Sequence, residues 1–190
     1  MKVKIIFLCF VLALFVACGD DKKDNETNNN EKDEKVIKKD DFNYLVKFSL
    51  NFHNSDRVFE LKRKSEDNKD LEFNSNKIIL FNFFTTWCPP CIAEIYHLNN
   101  LVKKYGDRLE VIGVLLEDKS NEELEQFIKE HNINYNVAVG DNNYTLVKVL
   151  GEINGIPYIA LYDQNGKNIN NYLGAVYEEM LDIDIQKVMK

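Results

Sequence analysis

Apolar runs and amphipathic stretches alternate through the middle of the chain. The run Lys77–Phe84 is apolar at nearly every position, which is typical of a strand that is buried on both faces. Residues 92–105 carry apolar side chains at helical spacing, and Gly106 marks the end of that helix. Leu109–Leu116 and Asn121–His131 repeat the strand and the helix. This order predicts parallel crossover units and therefore an α/β domain.

Weaker patterns flank this central region. On the N-terminal side, Phe42–Leu50 and Val58–Leu61 are short strand candidates, and the polar stretch Asn51–Arg57 between them indicates a hairpin. Leu71–Phe73 is too short to assign. On the C-terminal side we predict five elements and a turn at Asp163–Gly166. These elements are strands at Val137–Val139, Tyr158–Tyr162 and Lys167–Leu173, and helices at Asn143–Leu150 and Val176–Met189.

The N-terminus has the pattern of an export signal. Two lysines precede an uncharged apolar run, Ile5–Ala17, which is shorter than the ~20 residues that a membrane-spanning helix needs. The run ends in Leu-Phe-Val-Ala-Cys-Gly, which resembles the lipobox of bacterial lipoproteins, with Phe15 where leucine is usual. This resemblance implies cleavage before Cys18 and lipidation of its thiol. The alternatives are an ordinary secretory signal or an uncleaved anchor, with Cys18 incidental.

Charge and composition divide the rest of the chain. Residues 18–41 are acidic and polar and contain almost nothing that could be buried, so we expect a flexible tether with a reach of roughly 25 Å. The predicted parts are therefore a signal peptide at 1–17, a lipidated tether at 18–41 and one folded domain at 42–190. A net charge of -7 argues against nucleic acid as a partner, because phosphate binding needs a basic face.

Two of the four cysteines, Cys88 and Cys91, follow the apolar strand and begin a helix. A zinc site would need further ligands with paired spacing, haem attachment would need histidine in place of Ile92, and a structural disulfide would close a very short loop. A redox dithiol explains the placement, because a helix N-terminus favours thiolate over thiol. We expect Cys88 to be the exposed nucleophile and Cys91 the more buried, resolving thiol.

The segment Thr85-Thr86-Trp87-Cys88-Pro89-Pro90-Cys91, with Gly155-Ile156-Pro157 farther along, resembles the thioredoxin superfamily. More narrowly, it is similar to membrane-tethered extracytoplasmic reductases that serve cytochrome c maturation. The resemblance implies a thioredoxin fold, with a mixed central sheet flanked by helices and an N-terminal β extension. It also implies a cis Ile156–Pro157 bond beside the dithiol. The substrate-binding residues would be Trp87, Pro89, Ile156 and Pro157, and Tyr158 departs from the small hydroxyl residue that is common after this proline.

Proton transfer needs an acid near the dithiol. Cytoplasmic thioredoxins carry aspartate where this chain has Asn82, which cannot take a proton. Glu94 lies three residues after Cys91 on the same helix face, as in related lipoprotein reductases. If partly buried, Glu94 would have a raised pKa and could accept the Cys91 proton; otherwise it is a solvated residue near the helix N-terminus. Glu117, at the end of the second strand, is a weaker candidate for the same relay.

Together these features and the resemblance imply a thiol-disulfide oxidoreductase at the periplasm or the outer face of the cell membrane. It would reduce disulfides of exported proteins such as apocytochrome c and receive electrons from a membrane donor of thiol-disulfide type. We expect a monomer that contacts the membrane through its lipid anchor and has no cofactor besides the redox-active disulfide. The alternatives are an oxidase or isomerase of exported proteins, or a chaperone that binds a soft metal through the dithiol.

Overall fold

A computed structural model describes residues 47–189. Within this range the chain forms eight strands, four α-helices and a short 3-10 helix at Gly106–Arg108. The strands are β1 (Lys47–Phe52), β2 (Ser55–Arg63), β3 (Leu71–Phe73), β4 (Ile78–Phe84), β5 (Leu109–Leu115), β6 (Asn136–Val139), β7 (Tyr158–Tyr162) and β8 (Asn168–Leu173). The helices are α1 (Pro89–Tyr105), α2 (Asn121–Glu130), α3 (Asn142–Val149) and α4 (Glu178–Val188).

All eight described strands form one mixed sheet in the order β3-β2-β1-β6-β5-β4-β7-β8. The neighbours β4, β5 and β6 are parallel, and every other pair is antiparallel. Strand β4 is buried at all seven positions, as its apolar run predicted. The expected mixed central sheet with an N-terminal β extension is confirmed.

The two faces of β4 face different layers, because successive side chains of a strand point in opposite directions. One face presents Ile79, Phe81 and Phe83 to a core that includes the β1–β2 hairpin and α3. The other face presents Ile78 and Leu80 to a core formed with α1 and α4. The site described below lies on this second face.

Hydrogen bonds join the N-terminal extension to the C-terminal hairpin. The Leu71 amide donates to the Gly166 carbonyl at 2.8 Å, and the Tyr162 hydroxyl donates to the Lys69 carbonyl at 3.0 Å. Gly166 has φ of 75°, and a Cβ there would lie 1.7 Å from the Leu71 carbonyl oxygen. Glycine is therefore required at this turn for both its backbone conformation and its lack of a side chain.

The predicted polar loop Asn51–Arg57 is wrong in extent, although the hairpin itself is confirmed. Strand β1 runs to Phe52 and β2 begins at Ser55, because Asn54 adopts φ of 54° and allows a two-residue turn. The short segment Leu71–Phe73, which the sequence left unassigned, pairs with β2.

The predicted signal peptide, the predicted tether with Cys18, and the start of the predicted strand at Phe42 lie outside the described residues. Within residues 47–189, no helix combines the length and the apolar character needed to cross a membrane.

Candidate active site

The dithiol is built into the first turn of α1. Cys88 is the N-cap residue, and Pro89 and Pro90 occupy the next two positions, where their missing N–H groups cost no hydrogen bond. Cys88 and Cys91 form a disulfide with their Cα atoms 5.2 Å apart. The Cys91 amide points at the Cys88 sulfur, with the nitrogen and sulfur 3.3 Å apart. The helix N-terminus therefore directs its positive end at Cys88 Sγ.

The expected order of burial is confirmed, but the expected exposure of Cys88 is wrong. Cys91 is fully buried, and Cys88 is only 4% exposed. Both sulfur-bearing side chains belong to an apolar cluster that extends to Phe84 on β4 and Phe127 on α2. Cys88 is enclosed because α2 packs over this corner of the sheet, and this contact joins residues far apart in sequence.

Exposed apolar residues surround the nearly buried disulfide. Trp87 is 70% exposed and does not pack in the core. Pro89 and Pro90 are exposed as well. A protein that approaches Cys88 would meet these three residues first, which agrees with the substrate-binding position predicted for Trp87 and Pro89.

The loop before β7 brings a second predicted segment to the dithiol. The Ile156–Pro157 peptide bond is cis, as the resemblance implied. Ile156 is half-buried and packs against the cluster that contains both cysteines. The Pro157 carbonyl accepts the Gly174 amide at 2.9 Å, so this loop is tied to the end of β8.

Tyr158 belongs to the opposite core and not to the surface at the dithiol. It is 8% exposed, and its ring lies edge-on to Phe83 with the centroids 5.8 Å apart. Its hydroxyl accepts from Lys69 Nζ at 3.3 Å. The departure from a small residue at this position is therefore accommodated by the core and the N-terminal extension.

Glu94 is buried without a cation. The residue is 1% exposed, Oε1 accepts the Val176 amide at 2.9 Å, and Oε2 has no hydrogen-bond partner. Burial raises the pKa of Glu94 from 4.5 to about 7, against the opposing effect of the Val176 hydrogen bond. The alternative of a solvated glutamate is therefore wrong. The relay to Cys91 stays a prediction.

Glu117 contacts the loop that leads into the dithiol. Its carboxylate accepts the Thr86 amide, and its side chain is half-buried at the end of the segment after β5. This contact holds the backbone two residues before Cys88. It gives Glu117 a positioning contact that the sequence did not suggest, and its predicted relay role is not tested by this geometry.

Two further polar residues lie in the layer between the sheet and α1. Asn82, on β4, is 1% exposed and faces this layer. The Tyr135 hydroxyl is also buried there. Sequence reasoning did not select Tyr135, and the only signal for it was Gly113, a glycine inside an otherwise bulky buried strand.

Comparison with known proteins identifies the fold and the chemistry together. Residues 55–180 match the AhpC/TSA family. Thiol-disulfide oxidoreductase ResA of Bacillus thuringiensis subsp. konkukian is 30% identical over 131 residues, covering 69% of this chain and 73% of that protein. Thioredoxin-like protein YneN of Bacillus subtilis is 26% identical over 134 residues, covering 66% and 76%.

Solved structures agree on the fold. A DsbF homologue from Corynebacterium diphtheriae superposes with a TM-score of 0.60 at 20% identity, covering 75% of this chain and 85% of that one. The exposed lipoprotein thioredoxin of Streptococcus pneumoniae gives 0.57 at 20% identity, covering 75% and 99%. The predicted thioredoxin fold is confirmed. With its Cys88–Cys91 disulfide at the start of α1, the chain belongs to the AhpC/TSA family of the thioredoxin superfamily and is a thiol-disulfide oxidoreductase.

Proposed function

We propose that this oxidoreductase works outside the cytoplasm, anchored through a lipid on Cys18, and reduces disulfides of exported proteins such as apocytochrome c. The observation that carries the proposal is the Cys88–Cys91 disulfide at a helix N-terminus with the buried, cation-free Glu94 on the same helix. The export-type N-terminus and the thiol-disulfide oxidoreductases among its relatives support it.

The first step is attack by the Cys88 thiolate on a substrate disulfide. A bond forms between Cys88 Sγ and one substrate sulfur, and the other substrate sulfur leaves as a thiolate. The Cys91 amide and the positive end of α1 stabilise negative charge on Cys88 before the attack. The product is a mixed disulfide.

The second step releases the reduced substrate. Cys91 gives its proton to Glu94 and attacks Cys88 Sγ. The substrate sulfur that was bonded to Cys88 then leaves as a thiolate. Two electrons have then passed from the dithiol to the substrate, and the Cys88–Cys91 disulfide has formed. A membrane donor of thiol-disulfide type returns two electrons and restores the dithiol. No cofactor other than this disulfide takes part.

Substrate binding would use the surface around Cys88. Trp87 and Pro89 offer exposed apolar contacts, and the loop at Ile156 and Pro157 lies beside the cysteine cluster. An extended substrate segment would pair with the backbone at Ile156, which places its disulfide at Cys88. Such pairing is largely independent of sequence and suits an enzyme with several exported substrates.

Trapping tests the proposed substrate class. Cys91→Ala should hold the mixed disulfide on Cys88, because the resolving thiol is gone. The probe is an oxidised peptide with the haem-attachment spacing Cys-X-X-Cys-His. We expect a peptide adduct that dithiothreitol reverses, and exported proteins with paired cysteines among the adducts formed in cells. The matched control Cys88→Ala should form none, and failure of Cys91→Ala to trap the peptide would contradict the proposal.

Membrane fractionation tests the anchor. Cys18→Ala should move the protein from the membrane to the soluble fraction, provided that its signal peptide is still cleaved. Cys9→Ala is the matched control, because Cys9 lies inside the predicted signal peptide and should leave the distribution unchanged. Retention of Cys18→Ala in the membrane after cleavage would contradict lipid anchoring.

Metal analysis addresses the soft-metal chaperone. That alternative requires copper or zinc to be retained in stoichiometric amount on purification and to be lost in Cys88→Ala. We expect no such retention. A stoichiometric metal that depends on Cys88 would overturn the reductase proposal.

A further inference from the structure

Four buried polar atoms without hydrogen-bond partners lie on one side of the sheet, between β4 and α1. They are both amide atoms of Asn82, Oε2 of Glu94 and the hydroxyl of Tyr135. Among the described residues, the other atoms of this kind are Arg63 Nε, Thr85 Oγ1, His97 Nδ1 and Asn143 Oδ1, which are not part of this group. Buried polar groups in folded proteins are almost always hydrogen-bonded to protein or to ordered water. Four such atoms, contributed by β4, α1 and the segment before β6, therefore indicate a common partner.

The register of the sheet locates Asn82. It lies between Gly113 on β5 and Ile159 on β7. Side-chain alternation places Asn82 on the same face as Leu80, whose core includes α1. The buried residues of α1 include Glu94, so its side chain lies in that same layer.

Gly113 makes room for Tyr135 beside Asn82. A Cβ on Gly113 would lie 3.2 Å from Cε2 of Tyr135 and 3.1 Å from Cε1 of Phe84. The Tyr135 ring therefore covers the backbone of the residue that is paired with Asn82. Burial raises the pKa of the Tyr135 hydroxyl, a side-chain hydrogen bond with Asn82 acts against this shift, and the charge of Glu94 adds to it. The Tyr135 hydroxyl therefore lies within reach of Asn82, although the two do not meet the geometry of a direct hydrogen bond.

We propose that Asn82, Glu94 and Tyr135 together bind one buried water molecule, and that Asn82 and Tyr135 act through it as positioning residues for the Glu94 carboxyl. The water has three polar partners, which is a usual number for a buried water. Its site lies behind the disulfide, on the sheet side of α1.

This arrangement suits a carboxyl that changes its protonation state. The Asn82 Nδ2 group and the Tyr135 hydroxyl are donors, which orient the water to donate to ionised Glu94. Asn82 Oδ1 is an acceptor, which allows the water to turn and accept from protonated Glu94. An aspartate at position 82 would add a second acid, whereas asparagine serves both states without titrating. The ability of the water to serve both protonation states matters for catalysis because of the proposed function, in which Glu94 accepts the Cys91 proton.

Other groups around Glu94 do not supply the missing partner. From the segment before α4, the Val176 amide binds Oε1. On α1 itself, His97 Nδ1 lies 3.6 Å from the Glu178 carboxylate of α4 and, like Glu94 Oε2, has no hydrogen-bond partner. From β4, β5 and β7 the layer receives apolar side chains besides Asn82. Cys88 and Cys91 are joined as a disulfide and do not titrate in this state.

The test measures the Glu94 pKa directly in the oxidised protein, where the cysteines do not contribute. The carboxyl carbon resonance of Glu94, assigned by its loss in Glu94→Gln, is followed by ¹³C NMR against pH. Tyr135→Phe removes one hydroxyl and keeps the ring over Gly113, and we expect the Glu94 pKa to rise by about one unit. Asn82→Leu should raise it in the same direction.

Tyr105→Phe is the matched control, because Tyr105 is a buried tyrosine whose hydroxyl donates to Asp182 and not to this cluster. It should leave the Glu94 pKa unchanged. A crystal structure should show a water molecule within hydrogen-bonding distance of Asn82, Glu94 and Tyr135, and should lose it in Asn82→Leu. An unchanged Glu94 pKa in both Tyr135→Phe and Asn82→Leu would overturn the proposal.

The rate of thiol-disulfide exchange distinguishes failure of the water site from failure of the proposed proton relay. If the Glu94 pKa moves in Tyr135→Phe while Glu94→Gln exchanges at the wild-type rate, the water site stands and the relay fails. If the pKa does not move while Glu94→Gln is slow, the relay stands and the water site fails.

Discussion

The two faces of β4 are equally buried, but one packs against aromatic side chains and the layer over the other includes polar ones. On one face, Phe81 packs edge-on against Phe59 and Tyr162, with ring centroids 6.0 and 5.8 Å apart. On the other face, Asn82 and Glu94 place polar atoms without partners into the interior. The aromatic face contributes apolar burial and therefore stability. The polar face contributes less to stability, because burying polar atoms without partners costs free energy.

Two buried acids show the same contrast. Glu110 is 8% exposed and forms a bidentate pair with Arg57, at 2.6 and 3.0 Å. Glu94 is more deeply buried and has one backbone amide as its partner. Burial is the main cause of the raised pKa of Glu94, and among the described residues no cation beside its carboxyl opposes this effect. The two acids therefore differ in their partners, an arginine for Glu110 and a backbone amide for Glu94.

Removing an aromatic ring should produce the largest change in stability. Phe81→Ala should lower the free energy of unfolding by about 3–5 kcal/mol, because it opens a cavity in the aromatic core. Urea denaturation of the oxidised protein measures this change. The reduction potential should stay at the wild-type value, because Phe81 faces away from the dithiol. If Phe81→Ala shifts the reduction potential and barely lowers the free energy of unfolding, Phe81 lies on the face of β4 that supports the dithiol, and the assignment of the two faces is wrong.

Burial of Glu94 should make stability depend on pH. The folded pKa of Glu94 is about 7 and the ordinary pKa of a glutamate is 4.5, so between these values the native state holds a proton that the unfolded state has lost. Stability from this group is therefore greatest at low pH and falls as pH rises from 4.5 to 7, by roughly 3 kcal/mol. Glu94→Gln should lack this part of the pH dependence. Parallel unfolding profiles for the two proteins would argue against a buried, titrating Glu94.

The proton relay predicts a kinetic effect of similar size. Glu94→Gln should slow reduction of a disulfide substrate by about 100-fold at neutral pH, since the amide cannot accept the Cys91 proton. Stopped-flow fluorescence of Trp87, the single tryptophan, measures the rate. The deficit should shrink at high pH, where hydroxide removes the proton. Equal rates for both proteins at pH 7 would rule out the relay.

Substitution of Glu117 should have the smallest effect among these four predictions. Glu117→Gln keeps an acceptor for the Thr86 amide and removes the titrating group. If its role is to position the loop, exchange should change less than about threefold, while Glu117→Leu, which loses the acceptor, should slow it further. If exchange is slow in Glu117→Gln although Glu117→Leu keeps the wild-type structure, the result would instead support Glu117 as a proton relay.

Much of the fold and part of the site could be predicted from the sequence, because local patterns determine them. The apolar run of β4 and the spacing of α1 follow from side-chain periodicity, and the position of Glu94 three residues after Cys91 fixed its helix face. The near-burial of Cys88 could not be predicted, because it depends on packing of α2. Tyr135 was missed for a similar reason: it lies between elements, and its ring packs over the space left by Gly113.

The reduction potential of the Cys88–Cys91 pair tests the central claim most directly. The protein is equilibrated with dithiothreitol or glutathione buffers, and the Trp87 fluorescence or the thiol content reports the reduced fraction. A reductant of exported proteins predicts a value near about -270 mV, whereas an oxidase requires a value near about -120 mV. A potential at the oxidising end of this range would contradict the account.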